Sequence, residues 1–272
     1  MRLPSFPQLT RSFKRCFNFR LCVPSFVYPA GYAENARRLG PFVDEIELLL
    51  FESRPESLPS QTEINALISS AQQFNFTYHV HLPLDLHLGT IDQSRRDQDV
   101  KRLIEIIGLI RPLSPTTYTL HIDSREKHLS EAELGQWQER TLQSLDRILR
   151  TTRLVSGRLS IETLDYPPQW FAPIVDRLGL KVCVDVGHVL KYGWGLKSVM
   201  RQFGTQIDII HLHGMADGQD HLSLDHLAPN AREFLQTYLQ TFHGAVSLEV
   251  FCFQRLERSL DELYRIMTAA QR

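Results

Sequence analysis

The chain predicts an α/β fold, and within that class a single (β/α)8 barrel, on three observations. Eight short apolar segments rich in β-branched residues alternate with helix-forming ones, no linker or shift in composition interrupts them between Arg20 and Arg272, and the strand segments end in carboxylates and imidazoles. Parallel strands buried on both faces read as apolar runs, and the C-terminal strand ends of a barrel carry its chemistry. An open, doubly wound sheet is the competing arrangement. Its nucleotide-binding forms carry GxGxxG or GxxxxGK[ST], and the chain has neither.

FRLCVPSFVYPA reads as the first strand and its loop, and YAENARRLG as a short helix stopped by Gly40. DEIELLLFES is the second strand, followed by Pro-rich turn chemistry and an amphipathic helix from about Glu63. FTYHVHLP is the third strand, SRRDQDVKRLIEIIGLI a helix ending before Pro112, and TTYTLHID the fourth strand. Ser130 to Arg150 is the clearest helix, with Ser130 as N-cap and Glu133 completing a capping box. GRLSIETL, KVCVDVGH, IDIIHLHG and GAVSLEVF supply strands five to eight, separated by the helical segments FAPIVDRLG, VMRQFG and NAREFLQTYLQTF. LERSLDELYRIMTAAQ closes the fold as a last helix.

The length, 272 residues, suits one barrel, so residues 20–272 are taken as a single domain. Residues 1–19 form a basic start, with Arg2, Arg11, Lys14 and Arg15 and no acidic residue before Glu34; this extension is expected to be disordered or packed on the barrel. With 30 Lys and Arg against 31 Asp and Glu, the net charge of −1 provides no pull toward nucleic acid or an anionic membrane. The four cysteines have no CxxC spacing and lie in or near apolar runs, where a cysteine behaves as a small hydrophobe. No apolar run approaches the roughly 18 residues of a membrane span. The expected setting is reducing and cytoplasmic.

The candidate site is built from strand ends. Strand three offers His79 and His81, strand four His121 and Asp123, strand five Glu162, and strand six Asp185 with His188; strand seven offers His211 and His213, and strand eight Glu249. Period-two spacing places His79 with His81, His121 with Asp123, and His211 with His213 on shared faces. One strand-end histidine alone is an ordinary satisfied core group. Burying the whole set without a cation is costly, whereas divalent metals offset the carboxylate charge and use the imidazole lone pairs. Imidazole mixed with carboxylate suits Zn, Mn or Fe better than Mg or Ca. The polar loop HGMADGQDHLSLDH adds His221 and Asp220, while Tyr166, Trp170, Tyr192 and Trp194 are aromatic candidates for contact with a planar ligand. Glu47 and Glu52 on strand two read equally well as structural carboxylates and as substrate contacts.

These residues resemble the xylose-isomerase-like, or AP endonuclease family 2, TIM-barrel superfamily of sugar isomerases, epimerases and endonuclease IV-type phosphodiesterases. Glu162 in SIETL, Asp185 in VDVGH, His211 in IIHLHG and Glu249 in SLEVF match the four metal ligands shared across it. His81, His121, His188 and His221 match the additional histidines of the endonuclease IV branch. The resemblance implies one metal on His81, His121 and Glu162, a second on Glu162, Asp185, His211 and Glu249, and a third on His188 and His221. The chain departs from the family's D-x-H in the loop: in GQDH, Gln219 takes the carboxylate position, which leaves the count at two metals, or at three with Asp220 or Asp217 as replacement. SFVYPA, VDEIELLLFES and YHVHLPLDL are similar to the cobamide-remodelling phosphodiesterases, which cut the cobamide nucleotide loop to cobinamide phosphate and an α-riboside.

The expected activity is therefore metal-dependent hydrolysis of a phosphodiester in a small-molecule corrinoid, with Glu162 and Glu249 as catalytic carboxylates and His79, Asp123, Tyr166, Trp194, His213 and Asp220 around the substrate. A one-metal sugar isomerase or epimerase is the alternative; an abasic-site endonuclease and a non-catalytic corrinoid or metal carrier complete the set.

Overall fold

A computed structural model describes residues 6–124 and 128–269. Arg2, and the last residues of the predicted final helix, lie outside the described residues. The barrel strands are β1 (Arg20–Pro24), β2 (Glu45–Leu49), β3 (Thr77–His81), β4 (Tyr118–Leu120), β5 (Leu159–Glu162), β6 (Lys181–Asp185), β7 (Ile207–Leu212) and β10 (Ala245–Leu248). All pair in parallel, in the order β1-β10-β7-β6-β5-β4-β3-β2, and the sheet closes on itself. The open-sheet alternative is thereby excluded.

The helices are α1 (Tyr32–Leu39), α2 (Gln61–Phe74), α3 (Gln93–Ile110), α4 (Glu131–Thr152), α5 (Ala172–Leu178), α6 (Val186–Lys191), α7 (Leu196–Phe203), α8 (Pro229–Tyr238) and α9 (Phe253–Ala269). Capping chemistry sets two starts: Ser130 and Glu133 form the expected capping box on α4, and Ser60 with Glu63 forms another that starts α2 two residues before the expected position. α3 stops at Ile110 because Pro112 has no N–H to continue the ladder. Along each strand alternate residues face outward, so Leu21, Val23, Ile46, Leu48, Val182 and Val184 are sealed beneath the helices. The inward alternates of β2 and β3 are instead Glu45, Glu47, His79 and His81, all buried.

Two departures from the sequence expectations bear on the site. KVCVDVGH is not all strand: β6 ends at Asp185, which caps α6 by accepting from the His188 backbone N–H at 2.7 Å, so His188 projects from a helix. The polar segment after β7 is a two-stranded antiparallel hairpin, β8 (Gly214–Ala216) and β9 (Gln219–Leu222). Its turn runs through Asp217 and Gly218, both at positive φ, where glycine costs nothing and aspartate is tolerated. Residues 6–11 pack along the outside of the barrel, where Phe6 and Pro7 meet Tyr28 and Arg11 pairs with Asp261 of α9; nearer the strand starts Phe13 and Phe19 are buried, Lys14 Nζ donates to the last carbonyls of α2, and the Arg15 N–H donates to Asp44. Residues 13–19 thus lie at the starts of the strands, opposite the strand ends that carry the histidines. Among the described residues no helix is long and apolar enough to cross a membrane.

Candidate metal centre

Glu162, the last residue of β5, is the hub. Its Oε2 lies 3.0 Å from His81 Nε2 and 3.0 Å from His121 Nε2, and 3.6 Å from His211 Nδ1. β3, β4 and β7 deliver those imidazoles because the parallel register sets their ends at matching heights; Asp185, for example, pairs directly with His211. His211 Nδ1 also lies 3.3 Å from Glu249 Oε2 and 4.0 Å from Asp185 Oδ2. Glu162, Asp185, His211 and Glu249 therefore converge on one point, with His81 and His121 beside it.

A third group borders Glu162 and Asp185, with His188 Nδ1 3.5 Å from Glu162 Oε1 and 3.7 Å from Asp185 Oδ2. His188 from α6 and Asp220 and His221 from β9 place one donor atom each within 4.8 Å of one another. The hairpin decides which loop carboxylate takes part: Gln219 is exposed, while Asp220 turns toward the histidines. Lys191 Nζ, at 2.6 Å, already pairs with Asp220. Arg255 donates to the His221 carbonyl at 3.0 Å and steadies β9.

The electrostatics follow from crowding. Burial works against ionisation of Glu162, yet His121 and His211 beside it hold its carboxyl well below the usual range. Asp185 behaves alike: burial opposes its charge, and His188 and His213 outweigh the burial and lower its pKa. His213 loses solvation by burial, but Asp185 lifts it to about 9. The ring of His213 lies over Gly187, where a Cβ would come within 1.9 Å of Cε1. That close approach explains the glycine between Asp185 and His188 in VDVGH.

The donor set fits divalent cations. His121 Nε2, His211 Nδ1 and Glu249 Oε2 are buried and have no aligned hydrogen-bond partner among the described residues, a costly state that a cation relieves. His81, His121 and Glu162 form one group able to hold a metal ion, and His188, Asp220 and His221 another. The pocket above them, about 210 Å³, is lined also by Leu49, Leu50, Phe51, Leu84 and Phe251. One wall of its mouth is aromatic: Phe51 meets Phe26 and Phe251 edge to face, with Phe26 48% and Phe51 37% exposed.

Several residues assigned to substrate on sequence grounds sit elsewhere. His79 is fully buried below the ligands, against Glu47 and Cys22. Tyr166 is buried with its hydroxyl donating to the Ile122 carbonyl at 2.6 Å, which keeps it out of the pocket. His213 pairs with Asp185 at 3.2 Å and accepts the His221 N–H at 2.9 Å, so it braces ligands instead of lining the mouth. Trp194 is half-buried and donates to the Leu164 carbonyl. Asp123 diverges from His121 and pairs with His87 at 3.0 Å in a separate cavity of about 510 Å³. Asp220 joins the metal group. Glu52 pairs with Arg54 at the surface. Sequence reasoning missed Cys183, whose sulfur lies near Glu162 and His211, and Cys22, 3.4 Å from His79 Nδ1. Their mid-strand apolar context concealed an inward-facing position.

Comparison with known proteins follows the same lines. Solved structures with this fold include a D-tagatose 3-epimerase-like protein (16% identity, 93% of this chain and 98% of that one, TM-score 0.75). Endonuclease IV from Thermus thermophilus aligns at 16% identity over 92% of this chain and 98% of its own, with a TM-score of 0.67. Another Thermus thermophilus protein, from a crystal soaked with ZnCl2, aligns at 20% identity over 93% of this chain and 99% of its own, with a TM-score of 0.70. No curated protein sequence matches the chain. The family model described as a xylose isomerase-like TIM barrel, AP endonuclease 2, matches residues 33–270, and with the closed barrel and its crown of histidines and carboxylates it identifies the chain as a member of that family.

Proposed function

We propose that this protein is a metal-dependent phosphodiesterase acting on a small molecule, with the nucleotide loop of a cobamide as its substrate. The observation that carries this reading is the pair His81 and His121, each 3.0 Å from the same Glu162 oxygen, in addition to the convergent set Glu162, Asp185, His211 and Glu249. A single-metal site does not need them. His188, Asp220 and His221 extend the set toward a third ion, Asp220 taking the part expected of the residue at Gln219.

Divalent cations in such a site supply Lewis-acid charge and lower the pKa of water. Glu162 stands between the two inner groups and orients both. Glu249, 6% exposed at the pocket edge, turns Oε2 toward His211, which leaves its other oxygen, Oε1, to take a proton as water attacks phosphorus, and no side-chain nucleophile is required. His188 and His221 stand beside these carboxylates, His188 Nδ1 3.5 Å from Glu162 Oε1 and His221 Nδ1 3.8 Å from Glu249 Oε2, where they would hold a further cation near the phosphoryl group. The small pocket admits a phosphodiester and its adjoining atoms; Phe26, Phe51 and Phe251 offer an apolar wall to a flat base outside it. The near-neutral charge suits a small substrate better than a DNA duplex.

Incubating the protein with a cobamide under Zn²⁺, Mn²⁺ or Fe²⁺ and resolving the products by mass spectrometry tests this. Cobinamide phosphate and an α-riboside are expected; intact cobamide under all three metals rejects the substrate. A sugar epimerase is the second reading, supported by the four-ligand set that suffices for one metal and by the likeness to a D-tagatose 3-epimerase-like protein. One metal equivalent, unchanged in His81→Ala, favours it.

A further inference from the structure

Beneath the metal centre lies a second carboxylate with two imidazoles, sealed from solvent. Glu47 Oε1 is 3.0 Å from His211 Nε2 and 3.1 Å from His79 Nε2, and all three side chains are fully buried. The other oxygen, Oε2, accepts from Ser247 Oγ at 2.5 Å. Register alone brings the group together: Glu47 pairs with His79 across β2 and β3, and Ser247 pairs with His211 across β10 and β7.

The two nitrogens of His211 face opposite ways. Nδ1 looks up at Glu162, Asp185 and Glu249, and Nε2 looks down at Glu47. When Nδ1 gives its lone pair to a cation, the ring proton belongs on Nε2, whose nearest carboxylate oxygen is Glu47 Oε1. In this geometry neither imidazole contact is in line with its ring N–H, so Glu47 Oε1 and both Nε2 atoms find no aligned hydrogen bond. A small rotation of the His211 ring on metal loading closes the alignment. Glu47 itself is held by Ser247 through Oε2, with His79 Nε2 packed beside Oε1 at 3.1 Å.

We infer that Glu47 is a positioning residue for the metal centre: it fixes the His211 tautomer and ring orientation from below and makes Nδ1 a stronger donor. A carboxylate behind a metal-bound histidine has this effect generally, and its loss costs roughly 10–100-fold in metal affinity. Glu47 does not touch the substrate, because the whole His211 ring lies between it and the pocket. The inference rests on the metal reading of the site.

The test compares the full-length wild type with Glu47→Gln, each stripped of metal and titrated with Zn²⁺ by calorimetry, with ¹⁵N NMR of the histidine side chains in the loaded state. Expected is a loss of about 10–100-fold in affinity for the tightest ion, unchanged equivalents, an unchanged melting profile and an upfield move of the His211 Nε2 proton. Should Glu47→Gln fail to fold, Ser247→Ala, which frees Oε2, serves in its place, with a smaller loss in the same direction. Unchanged affinity and an unmoved Nε2 proton overturn the inference. So does anomalous scattering that places a metal ion among Glu47, His79 and His211. A wild type that binds no Zn²⁺ overturns the metal reading itself, and this inference with it.

Discussion

His79 and His81 stand two residues apart on β3 and face the same interior, yet they serve two different regions. His81 reaches Glu162 at the pocket, while His79 reaches Glu47 in the sealed layer below. The two layers use the same chemistry, one carboxylate oxygen between two imidazoles. Access separates them. Around Glu162 the pocket is open, so the lone pairs there are available to a cation. Around Glu47 nothing enters, and the same groups brace the layer above. Two residues of rise, roughly 6–7 Å along the strand, divide binding from support.

Four substitutions break or sharpen this comparison. Asp185→Ala strikes the upper layer hardest: it removes an inner ligand, the partner of His213 and the N-cap of α6 together. Its loss of metal affinity is expected to exceed the roughly 100-fold limit for an outer partner; calorimetry showing wild-type affinity would disprove the inner role. His188→Ala removes a donor of the outer group and leaves Glu162 and Asp185, which its Nδ1 faces at 3.5 and 3.7 Å, in place, so elemental analysis should find one equivalent gone and the rest retained. Retention of every equivalent would mean that His188 binds no metal. Lys191→Met releases Asp220 from its ion pair. Since an exposed pair is worth about 1 kcal/mol or less, metal binding at His188, Asp220 and His221 should tighten by no more than roughly five-fold; weaker binding in this variant would count against Asp220 as a ligand. Ser130→Ala, far from both layers, should cost about 1 kcal/mol in a denaturant titration and leave metal content unchanged.

The barrel was legible because its signals are local. Apolar β-branched runs, the Ser130–Glu133 capping box and the stop before Pro112 each act within a few residues. The chemical identity of the site was legible too, since Glu162, Asp185, His211 and Glu249 fall at strand ends, which a barrel gathers at one face. Less legible were the roles within the set. Period two assigns His79 and His81 to one face but is silent on height, so His79 read as a substrate contact. Tyr166 read as a ligand platform because its hydroxyl's partner, the Ile122 carbonyl, is distant in sequence. The hairpin was hidden inside a polar segment, and with it which of Asp220 and Asp217 turns toward His188 and His221.

By itself the sequence determined the alternation of elements and the kinds of donor atom at the strand ends, because propensity, capping and strand-end position are properties of short stretches. Only the tertiary structure decided which imidazole faces which carboxylate. Those contacts join β2 to β3 and β7, β5 to β3 and β4, and α6 to a hairpin, and their distances depend on register and depth in the closed sheet. Glu47 shows the difference most plainly: a glutamate in an apolar run became legible as support for a metal ligand only once the barrel had stacked it beneath His211.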